Sequence, residues 1–599
     1  MIYHCEDHTC NYWDEGEKLP ERCPQCGRKL LRANEADMTG DDWTALGNTL
    51  WDAEASDKKR MVDCFRKAAY LGSAWGVCNL GICMEQGNGV EADPVQAFWL
   101  YQQAVEMGSL NAVCCLGVCY QYGIGTAPDA EKAAELYCKA AEYGSPRGQM
   151  LLARAFHDGI GVEADAAEAV HWVRAAAYQR YGEGMHRLGV CYEYGDGVEQ
   201  NWEHAVHWFR EAAESGVSVA MTDLGYCYEK GCGVEQSWEQ AFSWYRRGAE
   251  CGYPVSMSNL GLCYKRGYGV EQNWQEAIKW YEQGAQCGDL QSMHNLACCY
   301  ERGEGVEQNE ERALYWYRRS AEGGNGSAMC NLGRCYKRGY GVEQNWQEAV
   351  KWYEQGAQCG NLQSMHNLAC CYEHGEGVEQ NMTEAIRWYT AAAEGGNADA
   401  MHNLGWHYDH GEGVEQDMKK AICWYERAAE QNHPAAMNSL GECYAMGRGV
   451  PRDLETAMEW YRRAAELGEA MADYNMGWHL EQAGKLSEAY AHYRKAADGN
   501  DDSAWWALGR FYENGVVVAQ DGKEARRCYE TGEKLGSVKC KMRLARCKLL
   551  GIGGRREKKA GLDLCRQALE LAKESSEKED YGYEAEMNLL RRTIAENES

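Results

Sequence analysis

Between Ser256 and Tyr281 the apolar positions fall at helical spacing twice over. Met257, Leu260 and Tyr264 recur at i, i+3 and i+7, which predicts an α-helix with one buried stripe. Gly261 sits on that stripe, where the missing side chain lets a neighbouring helix come close. Gly267 and Gly269 predict the end of this helix, because a C-terminal cap favours positive φ. Asn273 restarts the chain as an N-cap, and Glu276 three residues later predicts a capping box. A second helix follows, packed through Ala277, Trp280 and Tyr281 and ending near Gly288. The product is a helical hairpin that cannot bury its apolar face alone.

The hairpin recurs. From Leu80 to Met476 the leading apolar residue returns every 36 residues. The interval before Leu80 is 34, and the one from Met476 to Leu508 is 32, where Ala483-Gly484-Lys485 replaces a longer loop. A fixed period of this size predicts a solenoid, with stacked units burying a continuous core. The expected fold class is therefore all-α: a right-handed superhelix of about 15 hairpins. Residues 263–309 and 335–381 differ only at Ile278/Val350, Asp289/Asn361 and Arg302/His374, so a two-hairpin module has been copied. No residue inside it is a unique catalytic centre.

The repeated motif is Leu-Gly-x-x-Tyr-x-x-Gly-x-Gly-Val, then Ala-x-x-Trp-Tyr, then Ala-Ala-Glu-x-Gly. It stands nearly complete at Leu188–Val198 with Ala205, Trp208 and Ala212-Ala213-Glu214, and again at Leu440–Val450 with Ala457, Trp460 and Tyr461. This resembles the SEL-one-like repeat (SLR) family, a branch of the tetratricopeptide superfamily, over roughly residues 44–555. The resemblance implies a non-enzymatic scaffold that binds a protein or peptide, without naming it. A cysteine-rich secreted branch of that family bridges its helices through cysteines spaced eight apart, a pairing that is not regular here.

Residues 1–33 read differently. Cys5, Cys10, Cys23 and Cys26 form two knuckles, the second a Cys-Pro-x-Cys-Gly turn. Four thiolates so spaced can close a tetrahedral site. The segment resembles a zinc ribbon or rubredoxin-like knuckle, which implies one structural zinc, with iron possible and with His4 and His8 as rival ligands. So short a segment needs metal for its folding energy. Residues 34–43 read as a linker, 44–555 as the solenoid and 556–599 as a helical cap.

Charge and cysteine placement then narrow the function. The formal net charge is −29, from 91 acidic and 62 basic residues. This disfavours nucleic acid and anionic membrane, where a basic stripe should dominate. The alternative function, a nucleic-acid-associated protein acting through the zinc ribbon, has that excess against it. No apolar run approaches 18 residues, and no secretory signal is visible at Met1–Cys5. Ten of the 30 cysteines, from Cys83 to Cys547, sit three residues after the repeat leucine. Equivalent positions about 10 Å apart cannot be bridged. A reduced, cytoplasmic monomer is expected.

No catalytic constellation stands out. His294, His366 and His402 share one repeat position, and the methionines from Met185 to Met437 read as core filling. The candidate binding residues are an asparagine ladder, Asn259, Asn295, Asn331, Asn367 and Asn403, each just before a repeat leucine, with Asn79 and Asn475 as outliers. In tetratricopeptide-type hairpins the matching position faces the concave groove. An amide there can hold a peptide backbone, or it can simply stabilise a neighbouring turn. Lys265, Arg266, Arg302, Lys337 and Arg338 cluster at first-helix C-termini. They offer either a basic edge for acidic partners or complements to helix dipoles. Elemental analysis of chelator-free protein should find about one zinc per chain. A Cys23→Ala, Cys26→Ala variant that keeps its metal would contradict the knuckle.

Overall fold

The computed structural model describes residues 2–5, 13–15, 30–33, 35–51, 55–578 and 584–598. Among these residues are 31 α-helices and a short N-terminal sheet. The chain divides at residues 308 and 309 into two units. The first holds the sheet, seven helical hairpins and the helix Leu290–Arg302; the second holds the helix Glu310–Glu322, seven hairpins and a last helix, Glu584–Glu598.

The hairpins follow from the repeat. The helices Pro254–Arg266 and Trp274–Gln286 have 13 residues each, and so does every helix from Ala74–Gln86 to Val538–Leu550. Gly267 caps the first of the pair at φ 73°, and its N–H bonds the Cys263 carbonyl. Gly269 does something else. It also has positive φ, and a Cβ there would lie 2.1 Å from the Trp238 carbonyl oxygen. It lets the loop rest on the second helix of the preceding hairpin, so the Gly-x-Gly pair both ends a helix and docks the repeat on its neighbour. Gln272 completes the loop by donating its amide to the Lys265 carbonyl at 2.7 Å, an orphan group of the helix end.

Most hairpins are closed by an aromatic ring on a glycine. Tyr245, Tyr281 and Tyr353 are fully buried. A Cβ on Gly225, Gly261 or Gly333 would meet the ring of its partner tyrosine at 2.5–2.6 Å. Several of the hydroxyls find an acceptor: Tyr245 donates to Glu229 at 2.9 Å and Tyr101 to Glu85 at 2.5 Å, whereas the buried Tyr281 hydroxyl has no partner among the described residues. The methionine stripe is core, as expected, with Met185, Met221, Met293 and Met401 all buried. First helices of successive hairpins also touch each other within a unit, as Pro254–Arg266 does with Leu290–Arg302 and Gly326–Arg338 with Leu362–His374. Second helices do not pack this closely, so the first helices form the inner side of each unit's curve.

The repeats are all-α, as expected, and ahead of them Ile2–Cys5 pairs antiparallel with Trp13–Glu15 on one side and Leu30–Ala33 on the other. Three expectations change. The capping box at Asn273 is one-sided: Asn273 accepts from the Glu276 N–H at 3.1 Å, but the Glu276 carboxylate turns to Lys279. Thr39 and Asp42 form the reciprocal box, and their helix, Gly40–Thr49, starts inside the stretch read as linker. At the other end, the residues read as a cap supply Lys558–Lys578, the second helix of a hairpin with Val538–Leu550.

Two measurements follow from this packing. Tyr245→Ala should cost about 3–5 kcal/mol in urea unfolding, by opening a cavity. Tyr245→Phe should cost about 1 kcal/mol, by leaving the Glu229 oxygen short of a donor. Every cysteine from Cys64 to Cys565 is a free thiol. Burial pushes Cys83 up to about 11 and Cys119 up to about 12. In native protein, rapid labelling within 64–565 should reach Cys251, Cys287, Cys359 and Cys423, the exposed ones, with the rest reacting only after denaturation.

Candidate functional site

The ladder asparagines lie on first helices, half-buried. In the first unit, Asn259 and Asn295 stand on Pro254–Arg266 and Leu290–Arg302, and Gln291 donates to the Asn295 carbonyl oxygen at 3.0 Å. In the second unit, Asn331, Asn367 and Asn403 stand on Gly326–Arg338, Leu362–His374 and Ala398–His410. Here the amides reach the preceding hairpin. Asn367 donates to Cys330 Sγ at 3.4 Å and Asn403 to His366 Nε2 at 3.2 Å. The outliers behave alike: Asn79 donates to Asn48 at 2.8 Å, and Asn475 to Asn438 at 3.0 Å. At Asn79, Asn367, Asn403 and Asn475 the position therefore stitches neighbouring first helices together.

The basic residues divide. Lys265 is largely buried and bonded to Glu304 at 2.9 Å, and Arg302 lies 3.8 Å from the same carboxylate. Lys337 lies 3.8 Å from Glu376, the equivalent glutamate of the copied module. Lys265 and Lys337 also sit over the rings of Trp274 and Trp346. These cations are held by the Gly-Glu-Gly loop of the next hairpin. Arg266 and Arg338 are exposed.

Around Asn403 the second unit opens a cavity of about 290 Å³. Its lining includes Glu373, Tyr389, Asn403, Trp406 and His407. Glu373 accepts from the Tyr389 hydroxyl at 2.5 Å, and His407 Nε2 lies 3.8 Å away. Burial opposes ionisation of Glu373, but the bonds from His407 and Tyr389 outweigh it and hold the carboxyl below its ordinary range. His407 is almost fully buried and donates Nδ1–H to the Glu412 carbonyl at 3.1 Å. The wall thus carries a carboxylate bonded to Tyr389 and close to His407, beside an indole and an amide.

Cys370 Sγ lies 3.8 Å from His366 Nε2, a pairing that invites comparison with a nucleophile and its base. Both groups shift the wrong way. Burial raises the Cys370 thiol and lowers the His366 imidazole, so neither the thiolate nor the imidazolium is favoured. Among the described residues no three His, Cys, Asp or Glu side chains are grouped to hold a metal ion. Of the four knuckle cysteines, Cys10, Cys23 and Cys26 lie outside the described residues. Cys5 ends the first strand.

Sequence reading set aside His366 and His402 as inheritance from the repeat, yet both belong to this face. Their signal was positional, since each lies one residue before a ladder asparagine. His402 stacks on His433 at 5.2 Å and accepts from Ser439 at 3.4 Å, while His433 donates to Asp399 at 3.2 Å.

Stacked two-helix hairpins with a polar inner face define an α-solenoid of the tetratricopeptide kind. The model of the Sel1 repeat matches fourteen segments between residues 76 and 573, and the chain belongs to that family. A protective antigen present in uropathogenic Escherichia coli strains, displaying an SLR fold, is 32% identical, with a TM-score of 0.51, and covers 75% of this chain and 97% of its own. A Sel1 repeat protein from Oxalobacter formigenes is 32% identical over 41% of this chain and 96% of its own, with a TM-score of 0.37. An immunity protein from Pseudomonas aeruginosa is 18% identical over 36% of this chain and 81% of its own, with a TM-score of 0.28. No curated protein matches the chain. No described helix is long and apolar enough to cross a membrane.

The histidines give this face a pH signature. Burial first, and the charge of His433 second, push His402 from 6.5 down to about 4. Its folded value lies below its unfolded one, so the unfolded chain binds the proton more readily. This contribution to stability should be whole above pH 6.5 and be lost as pH falls toward 4. The melting midpoint should drop across that window and drop less in His402→Asn.

Proposed function

We propose that the chain is a protein-interaction scaffold and that the inner face of its second unit grips an extended segment of a partner protein. The observation that carries this reading is the placement of Asn403 in the wall of a cavity, beside Glu373 and Trp406. A half-buried amide offers both donor and acceptor to a peptide backbone. Trp406 adds a flat apolar surface, and Glu373 adds a charge that favours a basic side chain on the segment. Asn367, one hairpin earlier, repeats the amide at the spacing of the solenoid. The exposed Arg266 and Arg338 remain candidates for acidic groups elsewhere on the partner.

The same reading assigns residues 1–33 to a structural zinc knuckle. In its support, Cys5 is the register partner of Leu30, only four residues after Cys26, so the sheet returns the chain to the first knuckle. The free thiols from Cys64 to Cys565 favour a reducing compartment, the cytoplasm.

A photo-reactive residue at exposed Gln363, beside Asn367, should capture partners from the native cell, whereas one at Lys351, exposed on a second helix, should not. Replacing both Asn367 and Asn403 by Ala should weaken the captured complex by about 1 kcal/mol per lost contact, measured well below the melting transition because the bonds to Cys330 and His366 are lost as well. Equal capture from Gln363 and Lys351 would move the binding face elsewhere.

A further inference from the structure

The ring that closes each hairpin is missing once. From Phe65 to Tyr529 this position is Tyr or Phe in every hairpin but one, and there it is Val173. In the adjoining hairpins Tyr137 and Phe209 are fully buried, and Tyr137 donates its hydroxyl to Gln121 at 2.7 Å. The residue equivalent to Gln121 beside Val173 is His157. The hairpin thus lacks both the phenol and its usual acceptor.

The neighbourhood has not closed over the gap. A cavity of about 390 Å³ stands there, a size that suits a small ligand or a side chain. Its floor is apolar and buried, made by Ala153, Ala169, Val170 and Val173. Ala153 in place of glycine does not account for the missing ring, because Ala369 and Tyr389 occupy the same two positions in a later hairpin, both fully buried. The rings of Tyr137 and Phe209 on either side keep the helices at their usual spacing, so the site cannot collapse.

Its mouth is polar. His157 Nδ1 lies 2.6 Å from Asp158 and its Nε2 lies 3.3 Å from Asp196. Arg187, 3.7 Å from Asp196, occupies the ladder position of its hairpin, so the cavity opens on the inner side. An aromatic ring entering from that side would meet small apolar groups, and a hydroxyl on it would reach imidazole and carboxylate. We propose that this cavity receives a tyrosine side chain of a partner protein, which supplies the ring that the repeat itself omits. Buried aromatic anchors of this kind carry much of the energy of an interface. The proposal rests on the reading of the chain as a protein-binding scaffold, but the cavity belongs to the first unit, whereas Asn367 and Asn403 belong to the second.

The test uses p-cresol, the side-chain analogue of tyrosine, titrated into the full chain by saturation-transfer NMR. The expected result is binding that weakens at least tenfold in Val173→Tyr, which fills the cavity with the repeat's own ring, and a higher melting midpoint for that variant. Val173→Phe serves the same end if the tyrosine variant does not fold. Toluene should bind more weakly than p-cresol, and His157→Ala should narrow that difference. No binding of p-cresol to the unaltered protein, binding undiminished by either substitution, or a preference for toluene would overturn the assignment. Asn367→Ala with Asn403→Ala should leave p-cresol binding unchanged. Loss of cross-linking at Gln363 with p-cresol still bound therefore defeats only the scaffold face, and the reverse outcome defeats only the cavity.

Discussion

The contact on which the solenoid depends is a buried tyrosine ring lying against a glycine of the facing helix. At Gly225 and Gly261 no side chain fits, since a Cβ would lie about 2.6 Å from the ring of Tyr245 or Tyr281. The glycine sets how closely the two helices approach, and the ring sets how far apart they stay. The hydroxyl brings a polar atom into this core, so each tyrosine carries an obligation to find an acceptor. Glu229, Glu373 and Glu513 meet it for Tyr245, Tyr389 and Tyr529, and in doing so they place carboxylates beside the first helices, while Tyr281 is left without an acceptor among the described residues. A packing requirement thereby decides part of the surface chemistry.

The loop between helices has a similar double duty. Gly269 lies against the Trp238 carbonyl of the preceding hairpin, and Glu304 in a later loop reaches back to Lys265. Hairpins are locked to their predecessors through backbone proximity and apolar burial, and in both copies of the duplicated module through an ion pair as well. The basic residues that stand out in an acidic chain are partly spent in this way: Lys265 and Lys337 face glutamates of their own solenoid. The first helices then present amides, aromatic edges and partnered carboxylates, the chemistry on which the proposed grip on a peptide backbone rests.

Much of this was legible in one dimension. The period, the helix ends, the methionine core and the free thiols all follow from residue type and spacing. Asn273 as an N-cap was readable, yet the return bond from Glu276 was not, because Lys279 competes for the same carboxylate. The asparagine ladder was visible as a pattern open to a binding or a stabilising role, but its bonding partners were not visible. Asn403 bonds His366 across a hairpin boundary 37 residues away, and only the stacking of helices brings them together. Glu373, Trp406 and His407 looked like ordinary members of a repeat until the fold set them around one cavity.

By itself, the sequence determined that this chain forms stacked helical hairpins. Periodic burial, glycine caps and Asn or Asp N-caps are local properties that each 36-residue copy carries in full. Tertiary structure alone decided which departures from the repeat matter. Val173 differs from its counterparts by the absence of a ring, and in a list of residues that is a conservative change. Between hairpins held at fixed spacing by Tyr137 and Phe209, the same change leaves a cavity, because neighbours that keep their own rings cannot move in to fill it.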